Sequence, residues 1–149
     1  MSYVILLSGC SLKADFIFIN KSGKTLTVKY ELHESENIPF ISPKLAVSTI
    51  EQLEKYNTYD SLPPDRFTAD PEKKVYSVVL NDQEVLFLTK IDIYDISKEP
   101  VFKSGISKLS VQSETGSVSY SGDQVFQQFV STGGALLVRE PTLYTLTYK

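Results

Sequence analysis

The chain has 149 residues, 42% hydrophobic and 22% charged, and its 15 Lys+Arg against 18 Asp+Glu give a formal net charge of −3. At roughly 100–200 residues per domain this is one domain, long enough to bury about two-thirds of its unfolded surface. The charge balance excludes both a disordered acidic tail and a basic nucleic-acid binder. Val, Ile, Thr, Tyr and Phe number 51 against 4 Ala, which favours strands, because branched and aromatic side chains fit a pleated, half-buried surface. A single Cys cannot close an internal disulfide and a single His cannot build a multi-histidine metal site. Packing and backbone pairing must therefore hold the domain, and neither cofactor nor metal is expected.

In chain order, the apolar run Tyr3 to Leu7 comes first and leads into Ser8-Gly9-Cys10. Leu7-Ser8-Gly9-Cys10 resembles the lipobox of bacterial lipoproteins. The resemblance implies that the Cys10 thiol is diacylated, that the chain is cut just before it, and that the new amino terminus is acylated. Residues 1–9 are then a signal segment and 10–149 the mature β-sandwich domain, lipid-anchored to the envelope. Ser after the cysteine resembles the outer-membrane sorting signal of enteric-type bacteria. A full signal opens with Lys or Arg and carries about 7–15 apolar residues; this one has five and no basic residue, which a start codon placed too far downstream explains. Each buried CH₂ is worth about 0.8 kcal/mol, so two or more acyl chains anchor stably where one does not. Only Ser11, Leu12, Lys13 and Ala14 would separate the anchor from a first strand at Asp15, a span of at most about 14 Å. The competing expectation is a buried first strand with Cys10 as a small core residue, in a cytoplasmic interaction or inhibitor protein. No stretch approaches the roughly 20 apolar residues of a spanning helix.

Asp15 to Asn20 is apolar on both faces, as a central strand requires, and ends in the turn residues Lys21-Ser22-Gly23. Leu26, Val28, Tyr30 and Leu32 then alternate with polar residues, so the two segments read as a hairpin. The 42 residues from His33 to Lys74 are too many for a structureless loop. Within them Ser48-Thr49-Ile50-Glu51 has the form of a capping box, and Ile50, Leu53 and Tyr56 continue at helical spacing. A second hairpin is expected from Val75–Leu80 and Val85–Tyr94, across residues 81–84. A third places Leu109 and Val111 opposite Val118 and Tyr120, across Ser113-Glu114-Thr115-Gly116. Asp123 heads a turn or two of helix carrying Val125, Phe126, Phe129 and Val130, stopped by Gly133-Gly134. Leu136–Arg139 and Leu143–Tyr148 close the chain, with Pro141 marking an edge or bend. Eight strands and two short helices predict an all-β sandwich of immunoglobulin-like or related topology.

Most chemical motifs fail on spacing. Ser22-Gly23-Lys24-Thr25 resembles the end of a P-loop, but Phe18 stands where the first Gly must be and Thr25 opens a strand. Lys21-Ser22-Gly23 and Lys103-Ser104-Gly105 echo the Lys-Thr-Gly element of penicillin-binding proteins, yet no Ser precedes a Lys by three positions to supply the nucleophile. There is no Gly-x-Ser-x-Gly elbow, and His33 has no matched partner. Asp92 and Asp95 lie three apart on a strand, hence on opposite faces. Asp60, Asp65, Asp70 and Glu72 match no calcium loop, although residues 51–100 hold 11 acidic and 6 basic side chains. Together with the envelope location that the lipobox resemblance implies, the expectation is a non-enzymatic binding or accessory module with a protein partner there. The binding candidate is the Pro-stiffened segment from Tyr56 to Phe67, with Tyr56, Tyr59, Arg66 and Phe67 as contacts, since aromatic residues give area at low entropic cost. Its rings alternatively pack down and cover one open end of the core.

Overall fold

In the computed structural model, which describes residues 12–32, 40–41, 46–56, 59–93, 105–132 and 142–149, the doubly apolar run is the strand β1 (Leu12–Asn20). It begins three residues before Asp15 and has a neighbour on each side. β12 (Thr142–Tyr148) pairs with it in parallel and β8 (Glu84–Ile93) antiparallel, opposing Phe18 to both Leu146 and Leu86. Phe16, Ile17 and Phe18 are all fully buried, which explains the absence of alternation: neither face of this strand meets water.

β1 is central to a seven-stranded sheet ordered β11-β12-β1-β8-β4-β5, where β4 is Ala46–Thr49, β5 Asp60–Ser61 and β11 Val130–Thr132; β3 (Phe40–Ile41) also pairs with β8. The second sheet has five strands, β10-β9-β2-β7-β6. They are β10 (Gly116–Ser121), β9 (Ile106–Ser113), β2 (Leu26–Leu32), β7 (Val75–Leu80) and β6 (Phe67–Asp70). The chain is therefore mainly β, in two sheets. Phe16, Phe18, Leu86 and Leu88 of the first share one buried cluster with Leu26, Val28, Tyr30, Val78, Leu80, Leu109 and Val111 of the second. Each such side chain contributes about 1.5–3 kcal/mol of burial free energy.

The third expected hairpin forms as its pattern requires, with Val118 opposite Val111 and Tyr120 opposite Leu109. The other two do not. β1 and β2 lie in different sheets, and so do β7 and β8; both short connections are arches that carry the chain across the core. The reason is local. Asn20, fully buried at the end of β1, donates from Nδ2 to the carbonyls of Lys24 (2.8 Å) and Leu80 (3.2 Å). Its Oδ1 accepts from the Ser22 N–H at 3.0 Å and from Ser22 Oγ at 2.8 Å. Its own carbonyl accepts from the Gln83 N–H at 2.8 Å. One side chain thus binds both arches together. Gly23, at φ +73°, a conformation natural to glycine, donates its N–H to Asp82 Oδ1 at 2.9 Å.

The connection from His33 to Lys74 carries β3 to β6, a 3₁₀ turn at Pro64–Arg66 and the helix α1 (Ile50–Tyr56). Its capping box is shifted by one residue from the expected one. Thr49 Oγ1 accepts from the Gln52 N–H at 3.2 Å, and Gln52 Oε1 accepts from the Thr49 N–H at 2.9 Å, while Ser48 belongs to β4 and is buried. The second helix, α2 (Asp123–Gln127), is capped by Gly122 and not by Asp123, and ends well before Gly133. It delivers Val125 to the core; Phe129, two residues past its end, is buried edge-on to Phe16 at 5.2 Å between centroids, while Val130 enters β11 and stays 64% exposed. On the neighbouring strand β12, Tyr144 stacks on Phe16 at 4.8 Å. Residues 1–11, hence Cys10 and the signal segment, and also His33, Asp95, Lys103-Ser104, Gly133-Gly134, Leu136–Arg139 and Pro141, lie outside the described residues.

Candidate functional site

The segment from Tyr56 to Phe67 passes from the first sheet to the second, and its candidate side chains do not share one face. Tyr56 ends α1, and its side chain is outside the described residues. Tyr59 sets its ring edge-on to Phe87 of β8 at 5.5 Å, with an interplanar angle of 72°. Phe87 alternates with Leu86 and Leu88, which are in the shared core, so Tyr59 lies on the other side of that sheet. Its hydroxyl is buried with no hydrogen-bond partner among the described residues. Burial, and then the negative charge of Asp15, push its pKa above the ordinary tyrosine value. Leu62 enters the shared core, and Phe67 packs against it beside Val78.

Arg66 is the most engaged of the four. Its guanidinium donates to Glu84 through Nη1 (3.1 Å) and through Nη2, and to the Val79 carbonyl through Nε (3.1 Å) and Nη2 (2.8 Å). The planar fork of arginine suits such a double contact. Glu84 also accepts from the Asn81 N–H at 2.7 Å. Burial raises the Glu84 pKa, but the hydrogen bonds from Arg66 and Asn81 and the Arg66 charge outweigh it, and the net shift is downward. Since Val79 lies in the second sheet and Glu84 opens β8 in the first, Arg66 closes the β7–β8 arch from outside much as Asn20 holds it from within.

A different surface offers free recognition chemistry. On the outer side of the second sheet, opposite the core, register aligns Thr68, Ser77, Lys29, Ser110 and Ser119 in one row across all five strands. A shallow depression of about 430 Å³ there is lined by Lys29, Glu31, Lys108, Ser110, Gln112 and Ser117 among others. Hydroxyl, amide, ammonium and carboxylate groups side by side can hydrogen-bond a polar partner. The signal for this face is the polar half of the alternation in β2, β9 and β10, a set of residues that strand reasoning assigns only to solvent. Among the described residues no group of three or more His, Cys, Asp or Glu is placed to hold a metal ion, and no helix is long and apolar enough to cross a membrane. Comparison with models of known protein families and with curated proteins finds no match.

Proposed function

We propose that this chain is a non-enzymatic binding module of a bacterial envelope, anchored by lipid on Cys10, in the outer membrane facing the periplasm, and recognising a protein partner there. The observation that carries the reading is the tetrapeptide Leu7-Ser8-Gly9-Cys10 behind its apolar lead. With β1 starting at Leu12, two residue steps separate the cysteine from the first sheet, at most about 7 Å of chain, so an anchored domain would lie against the headgroups. The polar face of the second sheet supports a recognition role. For the finer fold assignment we favour immunoglobulin-like topology, supported by two sheets around one core and by the parallel pairing of first and last strands.

Mass spectrometry of the mature amino terminus from the native host tests the anchor. The reading expects a chain beginning at Cys10 with added lipid mass in the membrane fraction, and Cys10→Ser to abolish both. An unmodified Met1 or Ser2 terminus on a soluble chain would overturn it in favour of a cytoplasmic interaction protein.

A further inference from the structure

Among the described residues the edge strands are β3, β5 and β11 of the first sheet and β6 and β10 of the second, and four of these five are short or guarded; β3 has only two residues. β5 has two residues, Asp60 and Ser61, with Pro63 and Pro64 just after it; β11 has three residues; β6 has four and ends at Asp70, which is paired with Lys73 at 3.4 Å and followed by Pro71. Short length, charge and proline are the usual means by which a soluble β protein keeps an edge from pairing. β10 has none of them. It runs six residues, Gly-Ser-Val-Ser-Tyr-Ser, with no charge, no proline and no register shift against β9.

The pairing fixes which of its backbone groups are open. The Gly122 N–H bonds the Ser107 carbonyl at 2.9 Å. By antiparallel alternation Tyr120, Val118 and Gly116 therefore bond β9, whereas the N–H and C=O groups of Ser117, Ser119 and Ser121 point away from it. All three serines are exposed, and Val118 and Tyr120 are only half-buried against the core.

We propose that β10 is a self-association edge, whose occupant is the β10 of a second copy of this chain, antiparallel across a twofold axis at Ser119. The strand is complementary to itself in that register. Ser119 meets Ser119 of the second copy as a hydrogen-bonded pair, and Ser117 meets Ser121, so every open group on the three serines finds a partner. On the core side Val118 lies beside Tyr120 of the second copy, covering the half-exposed parts of both. No charged residue lies within the ladder, since Glu114 and Asp123 fall outside β10. The two five-stranded sheets join into one of ten strands, and the association is isologous and closed. The shared edge is about 20 Å long, and the association is weak and reversible.

The test is sedimentation of the 149-residue chain carrying Cys10→Ser over a wide concentration range, together with edge variants. The parent is expected to show a reversible monomer–dimer equilibrium. Ser119→Lys sets two ammonium groups face to face and weakens the dimer at least about tenfold, with thermal unfolding of the monomer unchanged. Ser119→Cys crosslinks through itself under mild oxidation, because opposed hydrogen-bonded residues lie about 5.5 Å apart at Cα, within disulfide reach. Ser117→Cys does not, its counterpart being four residues away. A parent that stays monomeric at millimolar concentration would overturn the proposal. So would an undiminished dimer in Ser119→Lys, or equal crosslinking at positions 117 and 119.

Discussion

Asn20 and Ser119 are both polar residues on strands of the same molecule, and their surroundings are opposite. Around Asn20, which has no exposed surface, the side-chain amide and the main-chain carbonyl are occupied, and two arches from different parts of the chain are held by them. Arg66 and Glu84 reinforce the same end with a half-buried ion pair and two contacts to the Val79 carbonyl. Around Ser119 the backbone groups face away from β9, and among the described residues none pairs with them. Left unpaired, each buried polar group of Asn20 would cost about 1–3 kcal/mol. An edge in water carries no such cost, so it can be left open for a partner. The molecule is closed where its chain crosses the core and open where its second sheet ends.

The largest effect is expected at Asn20. Asn20→Ala strips partners from the Leu80 and Lys24 carbonyls and from Ser22, and should lower stability by about 3 kcal/mol in urea unfolding. A loss below about 1 kcal/mol would show that the arches hold without their hub. Next comes Glu84→Gln, expected to lose about 1–2 kcal/mol at neutral pH, between the values of exposed and buried pairs. Because the folded-state pKa of Glu84 lies below its ordinary 4.5, its contribution is present above that pH and lost as pH falls through the folded value. The difference between parent and variant should therefore shrink on acidification. Asp70 and Asp82, also shifted downward, act equally in both chains and cancel. The smallest effect is expected from Tyr59→Phe. Its hydroxyl is buried with no partner among the described residues, so removing it should leave stability unchanged or raise it by up to about 1 kcal/mol; a loss of the same size would reveal a bound partner for that oxygen.

Much of this fold is legible along the chain where a pattern is local. The alternation of β2 gives its buried face residue by residue, and two turn residues between Ser113 and Gly116 set the register of β9 against β10. The arches were not legible, because a tight turn between apolar runs looks alike whether the next strand pairs with the last or crosses to the facing sheet. What separates the cases is a buried side chain such as Asn20 bonding to residues 60 positions away, which no window on the sequence contains. The cap of α1 slipped by one because Ser48-x-x-Glu51 and Thr49-x-x-Gln52 are both capping boxes, and burial of Ser48 in β4 decides between them. For the Tyr56–Phe67 segment, composition shows rings and prolines but not direction. Tyr59 turns to one side of the first sheet, while Phe67 turns to the core.

Amide hydrogen exchange read residue by residue at two protein concentrations tests the contrast most directly. The Gln83 N–H, held by the Asn20 carbonyl, should be protected equally in dilute and concentrated samples. The Ser117, Ser119 and Ser121 N–H groups should exchange freely when dilute and slow as concentration rises. Protection of the Ser119 N–H in the dilute monomer, or exchange there that ignores concentration, would contradict an open edge that a second copy closes.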